Sequence, residues 1–175
     1  MSAAAPAADR EFAAPLALLV GELNPYQAEE KARYTLFPYP EASAGGRLCR
    51  LVLGLRPGEY LAAYSRANLC SGQWSASTAR RCAEALLRER APKLPIVLLG
   101  AKVAAAFDLP YEPFTRRGRF VILPHPSGRC RAWNDSSAFE RARAILREAG
   151  ALRAAEQNPL TPQVTERALD ITEKA

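Results

Sequence analysis

The sequence predicts an α/β protein, a three-layer α/β/α sandwich on a central four-stranded parallel sheet. Three observations lead there. Short uninterrupted apolar runs, such as residues 16–20 and 95–100, read as strands buried on both faces. Segments with helical spacing of apolar residues alternate with them. The chain has 175 residues, of which 49% are apolar and 24% charged, so it holds one domain with a full core and is too short for two.

The elements follow in order. Residues 1–13 are Ala-rich and read as a loose leader, ahead of an expected domain over 14–157. Residues 16–20 form a first strand ending at Gly21. A long loop with Pro25, Pro38, Pro40 and the Gly45-Gly46 pair comes next. Ser43 caps a helix over 46–54, with Leu48, Leu51, Val52 and Leu55 on one face. Pro57 starts a second short helix through Tyr64. Residues 66–70 are the second strand, and Ser75 or Ser77 caps a helix to Arg90 with Ala79, Cys82, Ala83, Leu86 and Leu87 on its face. The third strand spans 95–100, and a helix follows over 101–107. The fourth strand spans 119–123. Pro124-His125-Pro126-Ser127-Gly128 is a sharp loop, and a last helix runs over 136–149. The polar tail 158–175 carries Pro159 and Pro162 and a short helical pattern at 163–173.

In a parallel sheet the carboxyl ends of the strands share one edge, where ligands bind. The loops after Gly21, Ser71 and Leu123 therefore gather there. The net charge is +6, and 20 of the 24 basic residues are Arg. Such an excess permits nucleic-acid binding and equally follows from a GC-rich genome. The apolar run at 13–20 is far too short to span a membrane, and the first 12 residues lack the basic stretch of a secretory signal. A cytoplasmic, monomeric protein is expected. Cys49, Cys70, Cys82 and Cys130 form no C-x-x-C pair, which points to reduced structural thiols rather than a metal site.

His125 is the only histidine of the chain. Beyond the end of a strand it is placed to donate to a developing anion. A lone loop histidine often has no role, but prolines on both sides stiffen this one. Arg116, Arg117, Arg119, Arg129 and Arg131 surround the segment without an intervening acid, which suits a phosphate backbone. Asn24 lies in Gly21-Glu22-Leu23-Asn24-Pro25-Tyr26. Its amide can orient a water or bind a base edge, and Asn-Pro is also a common turn signal. There is no phosphate loop, dinucleotide-binding glycine motif or His-x-x-x-His pair.

Taken in order, an Asn-Pro loop after one strand, an Asn closing the next, Leu-Leu-Gly before a helix and His-Pro-Ser after the last strand resemble the uracil-DNA glycosylase superfamily over residues 16–149. The resemblance implies a glycosylase that hydrolyses the N-glycosidic bond of uracil or a related pyrimidine flipped from DNA. It implies that Asn24 orients the attacking water within a first motif that includes Glu22 and Leu23. Tyr26 walls the pocket near C5 of the base, and Phe37 stacks on the base, with Tyr39 as the neighbouring alternative. Asn68 reads the base edge, and His125 donates to O2 of the leaving base. The following loop enters the minor groove, making Ser127, Gly128, Arg129 and Arg131 DNA-binding candidates, with Lys102 as a further phosphate ligand. No cofactor or metal is implied, and DNA is the implied partner.

The pattern departs from each branch of that family. Asn24 stands where the most active branch has Asp, and a neutral amide is a poorer base. Tyr26 replaces the Gly of the single-strand-selective branch. Glu22 and Gly46-Arg47-Leu48 resemble the iron–sulfur branch, whose cysteine spacing is not met. The substrate base stays open. A C5-modified pyrimidine of viral DNA, removed in defence, and a non-catalytic module for damaged DNA remain as alternatives, as does a plain nucleotide-binding domain. Trp74 and Trp133 each fit either a stacking contact to DNA or a lid over the core.

Overall fold

The computed structural model describes residues 14–24 and 34–153. It is an α/β sandwich with a mostly parallel five-stranded sheet. The strands are β1 (Ala17–Asn24), β2 (Tyr64–Ser71), β3 (Ile96–Leu99), β4 (Thr115–Arg117) and β5 (Phe120–Leu123), in the order β2-β1-β3-β5-β4. β2, β1, β3 and β5 are parallel, and β4 closes the edge antiparallel to β5.

Ile96, Val97, Leu98 and Leu99 are all fully buried, as are Leu18, Leu19 and Val20. Consecutive buried residues require cover on both faces, and two apolar clusters supply it. On one face, α3 (Ala76–Glu89) and α4 (Ala101–Ala106) bury Leu18, Val20, Ile96 and Leu98. On the other, α2 (Pro57–Ala63) and α5 (Ala138–Glu148) cover Leu19, Val97, Leu99 and Val121, together with α1 (Ala44–Arg47) and the π-helical turn Leu48–Val52.

The structure corrects several sequence expectations. β4 was not expected, because Thr115-Arg116-Arg117 is short, charged and without an apolar face. It pairs through a tight turn at Gly118, whose φ of +60° suits glycine. Charged edge strands of this kind discourage pairing with other chains. β1 continues to Asn24 rather than ending at Gly21, because β2 keeps pairing with it: Leu23 opposes Cys70 and Asn24 opposes Ser71. Asn68 is consequently inside β2, opposite Gly21, and does not close the strand. The helix expected over 46–54 is α1 followed by the π turn. The wider turn, with the Leu53 amide donating to Leu48 O, buries Leu53 and leaves Leu51 exposed.

Ser43 and Ser75 cap α1 and α3, accepting from Gly46 N and Thr78 N. All four cysteines are free thiols. Cys49 and Cys70 are buried, and burial, with a contribution from Glu59, raises the Cys49 thiol to about 11. Among the described residues, no helix is long and apolar enough to cross a membrane, and no group of three metal-ligating side chains forms. The leader, Pro25, Tyr26 and the tail helix lie outside the described residues.

Candidate active site at the carboxyl edge of the sheet

Three segments converge on the carboxyl edge. The end of β1 brings Glu22, Leu23 and Asn24. The loop before α1 brings Leu36, Phe37 and Tyr39. The segment after β5 brings His125.

The aromatic loop is held by backbone contacts. Leu36 has a φ of +46°, a conformation that costs a branched side chain on the order of 1–3 kcal/mol unless its surroundings enforce it. Here the buried Tyr60 hydroxyl donates to Leu36 O at 2.8 Å. Burial pushes the Tyr60 phenol well above its ordinary value, so it stays a neutral donor. Ser43 Oγ donates to Phe37 O at 3.4 Å. Gly45 lies so close that a Cβ there would sit 2.2 Å from Phe37 O and 2.3 Å from Leu36 C. The Phe37 ring then meets Tyr34 edge-on at 5.3 Å and Tyr39 at 6.0 Å with a 54° tilt.

These rings line a cavity of about 570 Å³, together with Leu23, Gly45 and Asn68. The Asn68 carbonyl oxygen is buried and has no hydrogen-bond partner among the described residues. A buried unpaired acceptor costs about 1–3 kcal/mol. Gly21, opposite it in register, makes room, since a Cβ at Gly21 would lie 2.2 Å from that oxygen. Glycine inside a strand marks this kind of close approach. The cavity is thus walled by apolar rings and by Asn68, whose amide oxygen is packed on Gly21 rather than open to the space.

His125 does not line this cavity. It stands beyond β5, with β1 and β3 between it and β2. Its Nδ1 accepts the Ser127 amide at 3.3 Å, which leaves the proton of the neutral ring on Nε2. Burial, opposed by Glu22 and reinforced by Lys102, lowers its pKa below the ordinary value. The imidazole is therefore a neutral Nε2–H donor at pH 7. The loop carrying it is clamped twice. Trp133 Nε1 donates to His125 O at 2.9 Å, and Arg47 Nε donates to Pro126 O at 2.9 Å. Gly100, with a φ of +104°, allows the approach from β3, because a Cβ there would sit 3.2 Å from His125 Cβ.

Lys102, expected at phosphate, pairs with Glu22 at 2.5 Å and covers the Trp74 ring at 5.4 Å. Trp133 is buried and stacks on Phe139 at 5.3 Å, so the segment expected to enter a groove is anchored in the core at that end. Gly128, Arg129 and Arg131 are exposed, and neither arginine makes an ion pair among the described residues. The arginine run does not form one patch. Arg116 pairs with Glu148 and Arg117 with Glu112, while Arg119 donates to Ala91 O and Pro92 O at the opposite edge of the sheet. Leu23, Phe37 and Asn68 thus meet in one cavity, and Glu22, Lys102 and His125 form a neighbouring electrostatic group. The Asn24 backbone pairs with Ser71 at the β1 end.

Sequence reasoning missed the positioning roles of Gly21, Arg47 and Gly45. Within four residues, α1 seats both candidate loops. Gly45 packs on the aromatic loop and Arg47 on the histidine loop. The Gly45-Gly46 pair was the available signal, since two glycines opening a helix indicate backbone packed on backbone. Neither a family model nor a curated protein matches this chain.

Proposed function

We propose that this chain is a monofunctional DNA glycosylase of the uracil-DNA glycosylase type, acting on uracil or a related pyrimidine turned out of the strand. The observation that carries the reading is that Asn68, whose buried amide oxygen has no partner among the described residues, lines one cavity with the Phe37 ring. With the Asn68 amide turned into the cavity, an imide edge supplies the N3–H donor that this acceptor lacks, and Phe37 supplies a stacking face. Three strand spacings place β2 and β5 about 14 Å apart. Two side chains, two hydrogen bonds of about 2.9 Å each and one pyrimidine ring fill such a gap.

The chemistry then runs as hydrolysis. The C1′–N1 bond breaks, and its electron pair moves onto the base and spreads to O2. His125 Nε2–H, already neutral and aimed by its loop clamps, donates to that oxygen. Losing one such donor typically costs about 10²–10³ in rate. Water, oriented by Asn24 from the end of β1, adds to C1′, and its proton passes through solvent to the released base anion. An amide orients water without removing its proton strongly, so a modest turnover or a better leaving group than uracil is expected.

A second reading follows from the cavity size. At about 570 Å³ it has the volume of sites that hold drug-sized ligands, which leaves room for a C5 substituent on the base. Alkali cleavage of labelled oligonucleotides tests both readings. The panel holds uracil, hypoxanthine, xanthine, 5-hydroxymethyluracil and hydroxymethylated or glucosylated cytosine. Cleavage at one base that disappears in His125→Ala supports the glycosylase. DNA binding without any abasic product favours a non-catalytic module.

A further inference from the structure

Tyr39 is the most exposed large apolar side chain among the described residues, at 55%. It sits at the mouth of the same cavity, and its backbone is rigid. Pro38 and Pro40 fix φ on either side of it, and Pro40 O accepts the Ser43 amide at 2.9 Å. Gly46 packs so tightly that a Cβ there would lie 2.5 Å from Pro40 O. The backbone under this exposed ring is therefore fixed, and the ring stands at the cavity mouth beside Phe37.

Its geometry names the contact. The Tyr39 and Phe37 rings are 6.0 Å apart and tilted by 54°. Neighbouring bases in a duplex lie parallel at about 3.4 Å. Two bases stacked on these two rings are therefore splayed from each other. From the ring geometry we infer that Tyr39 stacks on the nucleobase next to the one held by Phe37, and that the site takes single-stranded nucleic acid. In a duplex, opening a second adjacent step carries its own unstacking penalty, whereas a single strand has no pairing to break. The net charge of +6 and the exposed Arg129 and Arg131 suit a polyanion at this edge. The inference rests on the proposed nucleobase site, and it adds strand type and a second stacking residue.

Fluorescence anisotropy on the full chain tests it. The probe is a labelled single-stranded oligonucleotide with one uracil, compared with versions carrying a tetrahydrofuran spacer 5′ or 3′ of the uracil, and with the duplex. Base–aromatic stacking is worth about five- to hundred-fold in affinity per base. One of the two spacers should weaken the wild-type protein and Tyr39→Phe by about tenfold. Tyr39→Ala should bind the intact strand about tenfold more weakly and ignore the spacer, with its thermal unfolding unchanged. A spacer effect that persists in Tyr39→Ala overturns the inference, as does a duplex bound as tightly as the single strand. The two readings fail separately. Spacer coupling without release of any base keeps the stacking site and removes the glycosylase, and base release without coupling does the reverse.

Discussion

Gly21→Ala is the sharpest perturbation of the proposed base-reading contact. The new Cβ would lie 2.2 Å from Asn68 Oδ1 and 3.1 Å from Leu36 Cδ2. Ordinary contact begins near 3.4 Å, so the oxygen must retreat by about 1.2 Å and the leucine by about 0.3 Å. Both are ends of rotatable side chains, and Asn68 Oδ1 has no hydrogen bond to lose among the described residues. The strain is then that of an off-rotamer side chain, about 0.5–1.5 kcal/mol. Replacing glycine returns about 0.4–1 kcal/mol by restricting the unfolded chain. Net stability should change by no more than about 1 kcal/mol, or about 2–4 °C in Tm. A 1 Å misplacement of a substrate-positioning group, by contrast, costs on the order of 10² in rate. Single-turnover base release and calorimetry on the same preparation separate the two effects. Unchanged release would refute the role of Asn68, and a Tm drop above about 10 °C would show that Gly21 serves packing alone.

Three further outcomes follow. Gly45→Ala drives a Cβ into the backbone of Leu36 and Phe37, which has no flexible end to yield, so stability should fall by about 1–3 kcal/mol and release should fall with it, read by urea unfolding and single-turnover kinetics. Trp133→Phe keeps most of the stacking on Phe139 but removes the bond to His125 O. It should cost about 1 kcal/mol of stability and lower the rate more than the affinity for DNA. The His125 pKa is depressed in the folded protein, so the unfolded state binds the proton more readily. Stability from this group is full above about pH 6.5 and is lost as pH falls toward the folded value. Thermal unfolding from pH 7.5 to 5.5 should show wild type losing Tm relative to His125→Gln, and parallel curves would contradict this.

The buried strands were legible because each is a continuous apolar run, and the carboxyl-edge location of Leu23 and His125 followed from their parallel order, whereas Asn68, expected to close its strand, lies inside β2. Gly21-Glu22-Leu23-Asn24 read as a loop because its polarity hides a strand whose partner, β2, continues beside it. The Leu51 reversal came from a π turn, which shifts the buried face without any change in composition. The clamps on His125 were invisible in sequence, since Arg47 and Trp133 reach the loop from 79 and 8 residues away through single hydrogen bonds to carbonyls. The scattering of Arg116, Arg117 and Arg119 depended on β4, whose turn at Gly118 lies at the start of β5 and sends the three side chains to separate partners.

The central claim is that Asn68 Oδ1 receives N3–H of the substrate base. Its most direct test is single-turnover release of uracil against 3-methyluracil from otherwise identical single strands. Sites built around a hydrogen bond reject analogues that lack it by large factors. The wild-type protein should release uracil at least about 100-fold faster, and Asn68→Ala should release both slowly and at similar rates. Equal release of the two bases by the wild-type protein, or a preference for uracil that survives in Asn68→Ala, would contradict the account.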